Sequence, residues 1–141
     1  MAISFSNIEM KGDRLFIGDI CYALDETIYY DIWGKHLEWE DGVIRKDGEA
    51  CSIVVSTKHG DGEYCDEDDN IFPVDAGNIG VTSSLYWDEK KSSPSGGKII
   101  DVPSKVALVS VGYDDGYISI KVKDKDSREI LYQGTVDTDW Y

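Results

Sequence analysis

The hydrophobic positions of this chain mostly fall two apart, in short runs separated by Gly-containing turns. Ile3, Phe5, Ile8 and Met10 form a roughly alternating strand, and Lys11-Gly12-Asp13 leads into Arg14-Leu15-Phe16-Ile17. Alternation on both sides of such a turn predicts a hairpin. Residues 50–57 put Cys51, Ile53 and Val55 on one face and Ser52, Val54 and Ser56 on the other, which predicts a central strand. Residues 71–74, 78–82 and 98–102 predict further strands. Residues 106–111 are almost continuously apolar, as in a strand buried on both faces. Residues 117–123 turn Ile118, Ile120 and Val122 inward, and residues 129–134 complete a meander. Asp41-Gly42, Asp47-Gly48 and Asp115-Gly116 supply the positive φ that tight turns need.

One stretch keeps a helical period instead. Leu24, Ile28 and Ile32 recur every four residues with Trp33 beside them. Asp25 suits an N-cap, Glu26 the first turn, and Gly34 the left-handed residue that ends a helix. This predicts one short helix near residues 25–34, which must pack on a sheet to persist. The sum is a mainly β chain: an antiparallel β-sandwich or open barrel of about nine to ten short strands with that helix. The Ser-, Pro- and Gly-rich segment 88–97 reads as a flexible loop within a single domain spanning residues 1–141.

Charge narrows the function classes. The chain has 28 Asp and Glu against 14 Lys and Arg, a net charge of −14. Such a surface repels phosphate backbones and anionic lipid, so neither nucleic acid nor membrane is expected as a partner. A protein with a basic surface, or a cation, fits better. Nine Tyr and four Trp suit half-buried sheet surfaces and interfaces. The three cysteines, Cys21, Cys51 and Cys65, are odd in number and form no Cys-x-x-Cys pair. They point away from a disulfide framework or a structural zinc site and toward a reducing cytoplasm.

Candidate chemistry crowds into residues 56–80. Asp66, Asp68 and Asn70 alternate like the start of an EF-hand loop, but Ile71 and Gly77 stand where that loop needs Gly and Glu. The remaining metal reading is a looser Ca²⁺ or Mg²⁺ site built from Asp61, Asp66 and Asp68, with Glu63 and Asp69 nearby. Cys21 with His59 and either Asp61 or Asp19 has the residue types of a nucleophilic triad. Asp19 and Asp75 have those of an acid–base pair. Gly60-Asp61-Gly62 lacks the spacing of a phosphate loop and reads as a turn joining two strands.

Three patterns occur together: Gly18-Asp19-x-Cys21-Tyr22, Ser56-Thr57-x-x-Gly60-Asp61-Gly62-x-Tyr64 and Val74-Asp75-Ala76-Gly77-x-Ile79-Gly80. As a set they resemble a loose group of small bacterial and phage proteins of uncharacterised activity, over roughly residues 14–82. The resemblance carries no catalytic role. It implies that Asp19, Cys21, Tyr22, Gly60, Asp61, Gly62, Tyr64, Asp75 and Gly77 are the positions to inspect first. His59, from the residue reading, joins Asp19, Cys21, Tyr22, Gly60, Asp61, Gly62, Tyr64 and Asp75 as a candidate binding residue. It also implies a phage origin and, for a small acidic protein, inhibition of host defence. The leading expectation is therefore a non-catalytic acidic protein that engages a basic host surface. The alternatives are a binder or hydrolase of a nucleotide-like small molecule, with Asp19, Cys21, His59, Asp61 and Asp75 around one cleft, and a cation-binding β domain.

Overall fold

Alternation in the sequence becomes alternation in burial. Along residues 117–124, Ile118, Ile120 and Val122 are buried while Tyr117 and Ser119 face outward, because successive side chains of a strand point to opposite sides. The computed structural model of the chain describes residues 2–88, 90 and 94–139. Residues 89 and 91–93 of the expected flexible loop lie outside the described residues.

Eleven strands form among the described residues: β1 (Ala2–Lys11), β2 (Arg14–Gly18), β3 (Gly42–Lys46), β4 (Glu49–Ser56), β5 (Gly62–Cys65), β6 (Ile71–Val74), β7 (Asn78–Ser83), β8 (Gly97–Asp101), β9 (Val106–Asp114), β10 (Tyr117–Asp124) and β11 (Ile130–Asp137). All pairings are antiparallel. One sheet runs β1-β9-β10-β11, a second runs β3-β4-β7-β2-β8, and β5 and β6 pair as a small hairpin. The two large sheets share one apolar core, with Met10, Val109, Ile118 and Ile120 facing Leu15, Ile17, Ile53 and Val81. The hairpin adds Tyr64, Phe72 and Val74 to the same core. This fits the expected antiparallel β-sandwich or open barrel, with eleven strands where about nine to ten were expected. Fully burying each such aliphatic side chain contributes about 1.5–3 kcal/mol.

The first hairpin of the sequence reading does not form. β1 pairs with β9 and β2 pairs with β7 and β8, so residues 11–13 form a corner between the sheets. Alternation sets the faces of a strand but not its neighbour. Residues 106–111 also differ from expectation: Ala107, Val109 and Val111 are buried, whereas Val106, Leu108 and Ser110 are half-buried. Among the described residues, the helix packs on the other sheet and none packs on the outer side of this one. In β4, Ile53 and Val55 join the sandwich core but Cys51 does not. The pairing slips by one residue between Ile44↔Ser52 and Arg45↔Ala50. This bulge sends Cys51 to the opposite face, beside Val54.

That opposite face carries the helix, Ile28–His36. Ile28 and Trp33, with Leu24 just before the helix, pack on Ile44, Cys51 and Val54, and Ile32 lies against them. Burial pushes the Cys51 thiol up to about 11, leaving it protonated at neutral pH. Asp25 caps the helix as expected, accepting from Thr27 N (2.9 Å) and Ile28 N (3.2 Å). The end differs from expectation. The winding is wide, with Leu37 N donating to Ile32 O, and the helix passes through Gly34 to His36. Gly34 serves close approach instead: a Cβ there would lie 2.7 Å from Trp39 Cζ2.

The turn joining β10 to β11 depends on a buried carboxyl. Asp124 accepts from Ser104 N (2.9 Å), Ser127 N (3.1 Å) and Ser127 Oγ (3.1 Å). The backbone bonds lead in holding its pKa down to about 2, against an ordinary 3.8. A group depressed in the folded state stabilises fully above its unfolded pKa, and that contribution is lost as pH falls through the folded value. We therefore expect the melting temperature to fall between about pH 4 and pH 2. Asp124→Asn should flatten part of that slope in a calorimetric pH series.

Candidate functional site

The three sequence patterns meet at the start of β7. β2 runs antiparallel to β7 with Gly18 opposite Gly80, and β4 runs antiparallel on its other side with Ser56 opposite Asn78. The chain leaving β2 and the chain leaving β4 thus both arrive at residues 75–78. Thr57 N donates to Gly77 O (2.9 Å), and Ile20 N donates to the Asn78 side chain (3.1 Å).

Asp19 is the centre of this junction and is fully buried. One carboxyl oxygen accepts from Cys21 N (3.0 Å), capping a single 3₁₀ turn at Ile20–Tyr22. The other accepts from Asp75 N (2.8 Å) and Ala76 N (2.6 Å). Both oxygens of the buried carboxyl are thus satisfied by backbone amides. Asp19 is a structural clamp between two of the patterns.

The outer rim is formed by other residues. Tyr22 Oη donates to the exposed Asp75 carboxylate at 2.5 Å. Burial first, then that bond, push the phenol well above its ordinary pKa, so it remains a donor. The hairpin register, with Gly62 opposite Val74, carries exposed Asp61 to a position facing Asp75 just beyond the ladder. Thr57 Oγ1 and Tyr64 Oη both donate to Gly60 O, at 2.6 and 3.0 Å, and fix the Gly60-Asp61-Gly62 turn.

The remaining expected residues point elsewhere. His59 Nε2 lies 3.1 Å from the Asp139 carbonyl and 3.3 Å from its carboxylate, next to the end of β11. Lys58 bridges Asp115 and Asp139 in the same place, at 2.8 Å each. Cys21 opens on a small groove of about 90 Å³ with Leu24, Glu26, Tyr29 and Tyr30. The structure therefore joins Asp19, Asp75 and Tyr22 and engages His59 at the C-terminal strand.

The acidic hairpin tip behaves differently from a metal loop. Asp66 is buried and accepts from Asp68 N, Asn70 N, Asn70 Nδ2 and Tyr132 Oη, at 2.9, 2.9, 2.8 and 2.5 Å. Burial by itself would raise its pKa. The four donors outweigh it and hold the carboxyl below the ordinary value. Asp66 thus ties the tip to β11. Among the described residues, no three His, Cys, Asp or Glu side chains form a group able to hold a metal ion. Tyr132→Phe should cost about 1–2 kcal/mol in urea unfolding, since it leaves one buried carboxylate oxygen short of a donor.

An aromatic patch escaped the sequence reading. Tyr29, Tyr30, Trp33 and Trp39 meet edge-to-face or tilted, with ring centroids 5.0–6.0 Å apart. Tyr30 and Trp39 remain 57% and 48% exposed. Their spacing across the end of the helix gives no regular period, so only the abundance of Tyr and Trp hinted at it. No helix of the described residues is long and apolar enough to cross a membrane. In comparisons with known protein families, curated proteins and solved structures, the chain matches none.

Proposed function

We propose that this is a non-catalytic acidic binding protein that docks on a basic surface of another protein. The observation that carries this reading is how the charge is distributed. Residues 25–41 hold six acids and one Lys, and residues 61–69 hold six acids with no Lys or Arg. Glu26, Glu38, Glu40, Glu63, Asp68 and Asp69 enter no ion pair among the described residues. Two concentrated negative surfaces on a rigid sandwich steer and orient a positive partner. A phage-encoded inhibitor that occupies a host surface otherwise used for nucleic acid is the specific form we favour, acting in the host cytoplasm. The engagement of Asp19 by three backbone amides supports binding over acid–base chemistry at the junction.

The test is ionic strength. Affinity for a lysine-rich peptide, measured by isothermal titration, should fall at least about tenfold between 50 and 300 mM salt, as for exposed charges screened over roughly 10 Å. An affinity that does not change over that range rejects the charge-led reading.

A further inference from the structure

We propose that the exposed face around Tyr30 and Trp39 is the docking site for an arginine-bearing segment of the partner. The inference rests on the acidic-binding reading above and identifies the place and the side chain recognised. Trp39 is held outward by structure. Its ring lies over the bare backbone of Gly34 and against Tyr29 and Trp33, and Trp33 Nε1 donates to Glu40 O (2.8 Å) to secure the following loop. Glu38 and Trp39 adopt φ of +52° and +62°, a backbone region unfavourable to bulky residues. This turn brings the Trp39 ring back onto Gly34 and the neighbouring rings while leaving about half of the residue exposed.

Glu38 and Glu40, which flank Trp39 in sequence, line a groove of about 310 Å³ together with His36, Leu37, Asp41 and Val43. Asp41 already accepts from Ser56 N and Oγ, so Glu38 and Glu40 supply the carboxylates for a ligand. An apolar wall, two carboxylates and an adjoining indole match a guanidinium on an aliphatic stem. The planar head stacks on an aromatic face and is less strongly hydrated than an ammonium. The chain uses the same pairing internally, where the Arg14 guanidinium sits 5.0 Å from the Trp87 ring centre. Aromatic anchors ringed by charge are also how interfaces concentrate binding energy. The hairpin tip at residues 61–69 is equally acidic but has no Trp. It serves long-range attraction, and the helix face serves recognition.

The experiment compares an arginine-only with a lysine-only peptide of equal length, titrated calorimetrically into the full chain. The arginine peptide should bind at least about fivefold more tightly, as expected of a stacked guanidinium. Trp39→Ala should remove that preference, and Tyr30→Ala should reduce it. Glu38→Gln with Glu40→Gln should weaken both peptides. Tyr30→Ala keeps the test decisive if Trp39→Ala disturbs the helix, because Tyr30 lies outside the buried clusters. Equal affinity for the two peptides, with steep salt dependence, overturns this inference and leaves the acidic-binding reading standing. Binding of neither peptide at low salt overturns both. A dimer that buries Trp39, seen by sedimentation and lost in Trp39→Ala, would assign the face to a second copy instead.

Discussion

Asp19→Ala should lower the melting temperature by about 10–15 °C, the largest effect we expect from removing a single polar group. Three amides, those of Cys21, Asp75 and Ala76, donate to this one buried side chain. Each part-buried amide that loses its acceptor costs about 1–3 kcal/mol, and because the losses overlap we expect about 4 kcal/mol in total. The Asn variant separates geometry from chemistry. It keeps one oxygen acceptor but turns an NH₂ donor toward the remaining amides, so it should recover less than half of the loss. Denaturant unfolding followed by far-UV circular dichroism measures both. A loss under about 1 kcal/mol for Asp19→Ala would mean that solvent or the backbone replaces the clamp, leaving the junction no structural role.

Gly80→Ala should be comparably damaging, for a steric reason. Gly80 lies in β7 between β4 and β2, opposite Val54 and Gly18. A Cβ at this position would lie 2.1 Å from the Ile53 carbonyl oxygen and 2.9 Å from the Ile20 side chain. The nearer obstacle is backbone inside a sheet buried on both faces, so relief requires β4 and β7 to part. Overpacking that forces backbone shifts typically costs about 1–3 kcal/mol, and the nearness of the Ile53 carbonyl puts this site at the upper end. We expect the variant to be largely insoluble at 37 °C. A soluble Gly80→Ala protein with unchanged melting would show that the two strands are less closely packed than described.

Much of the fold was legible in the sequence, for physical reasons that also set the limits. The inward set Ile118, Ile120 and Val122 and the Asp115-Gly116 turn specify local structure, and both appear as expected. Strand neighbours are a long-range property, so β1 and β2 looked like a hairpin although they belong to different sheets. The bulge at Cys51 was invisible because it depends on pairing with β3. The three patterns meet at a junction in the fold, where Asp19 is buried and Tyr22 donates to Asp75. Asp66 looked like one acid among many. Its burial depends on Tyr132, far along the chain. The Trp39 patch was hidden because its rings gather through the wide helix and the turn after it.

In our proposal the junction around Asp19 holds the fold together and the acidic, aromatic surface binds the partner. Amide shift mapping tests that division most directly, by titrating the ¹⁵N-labelled chain with an arginine-rich peptide at low salt. We predict the largest changes within residues 26–41, smaller ones at the 61–69 tip, and none on the outer face of the β1-β9-β10-β11 sheet. Changes centred instead on Cys21, Tyr22, Asp61 and Asp75 would contradict the account and place binding at the rim of the junction.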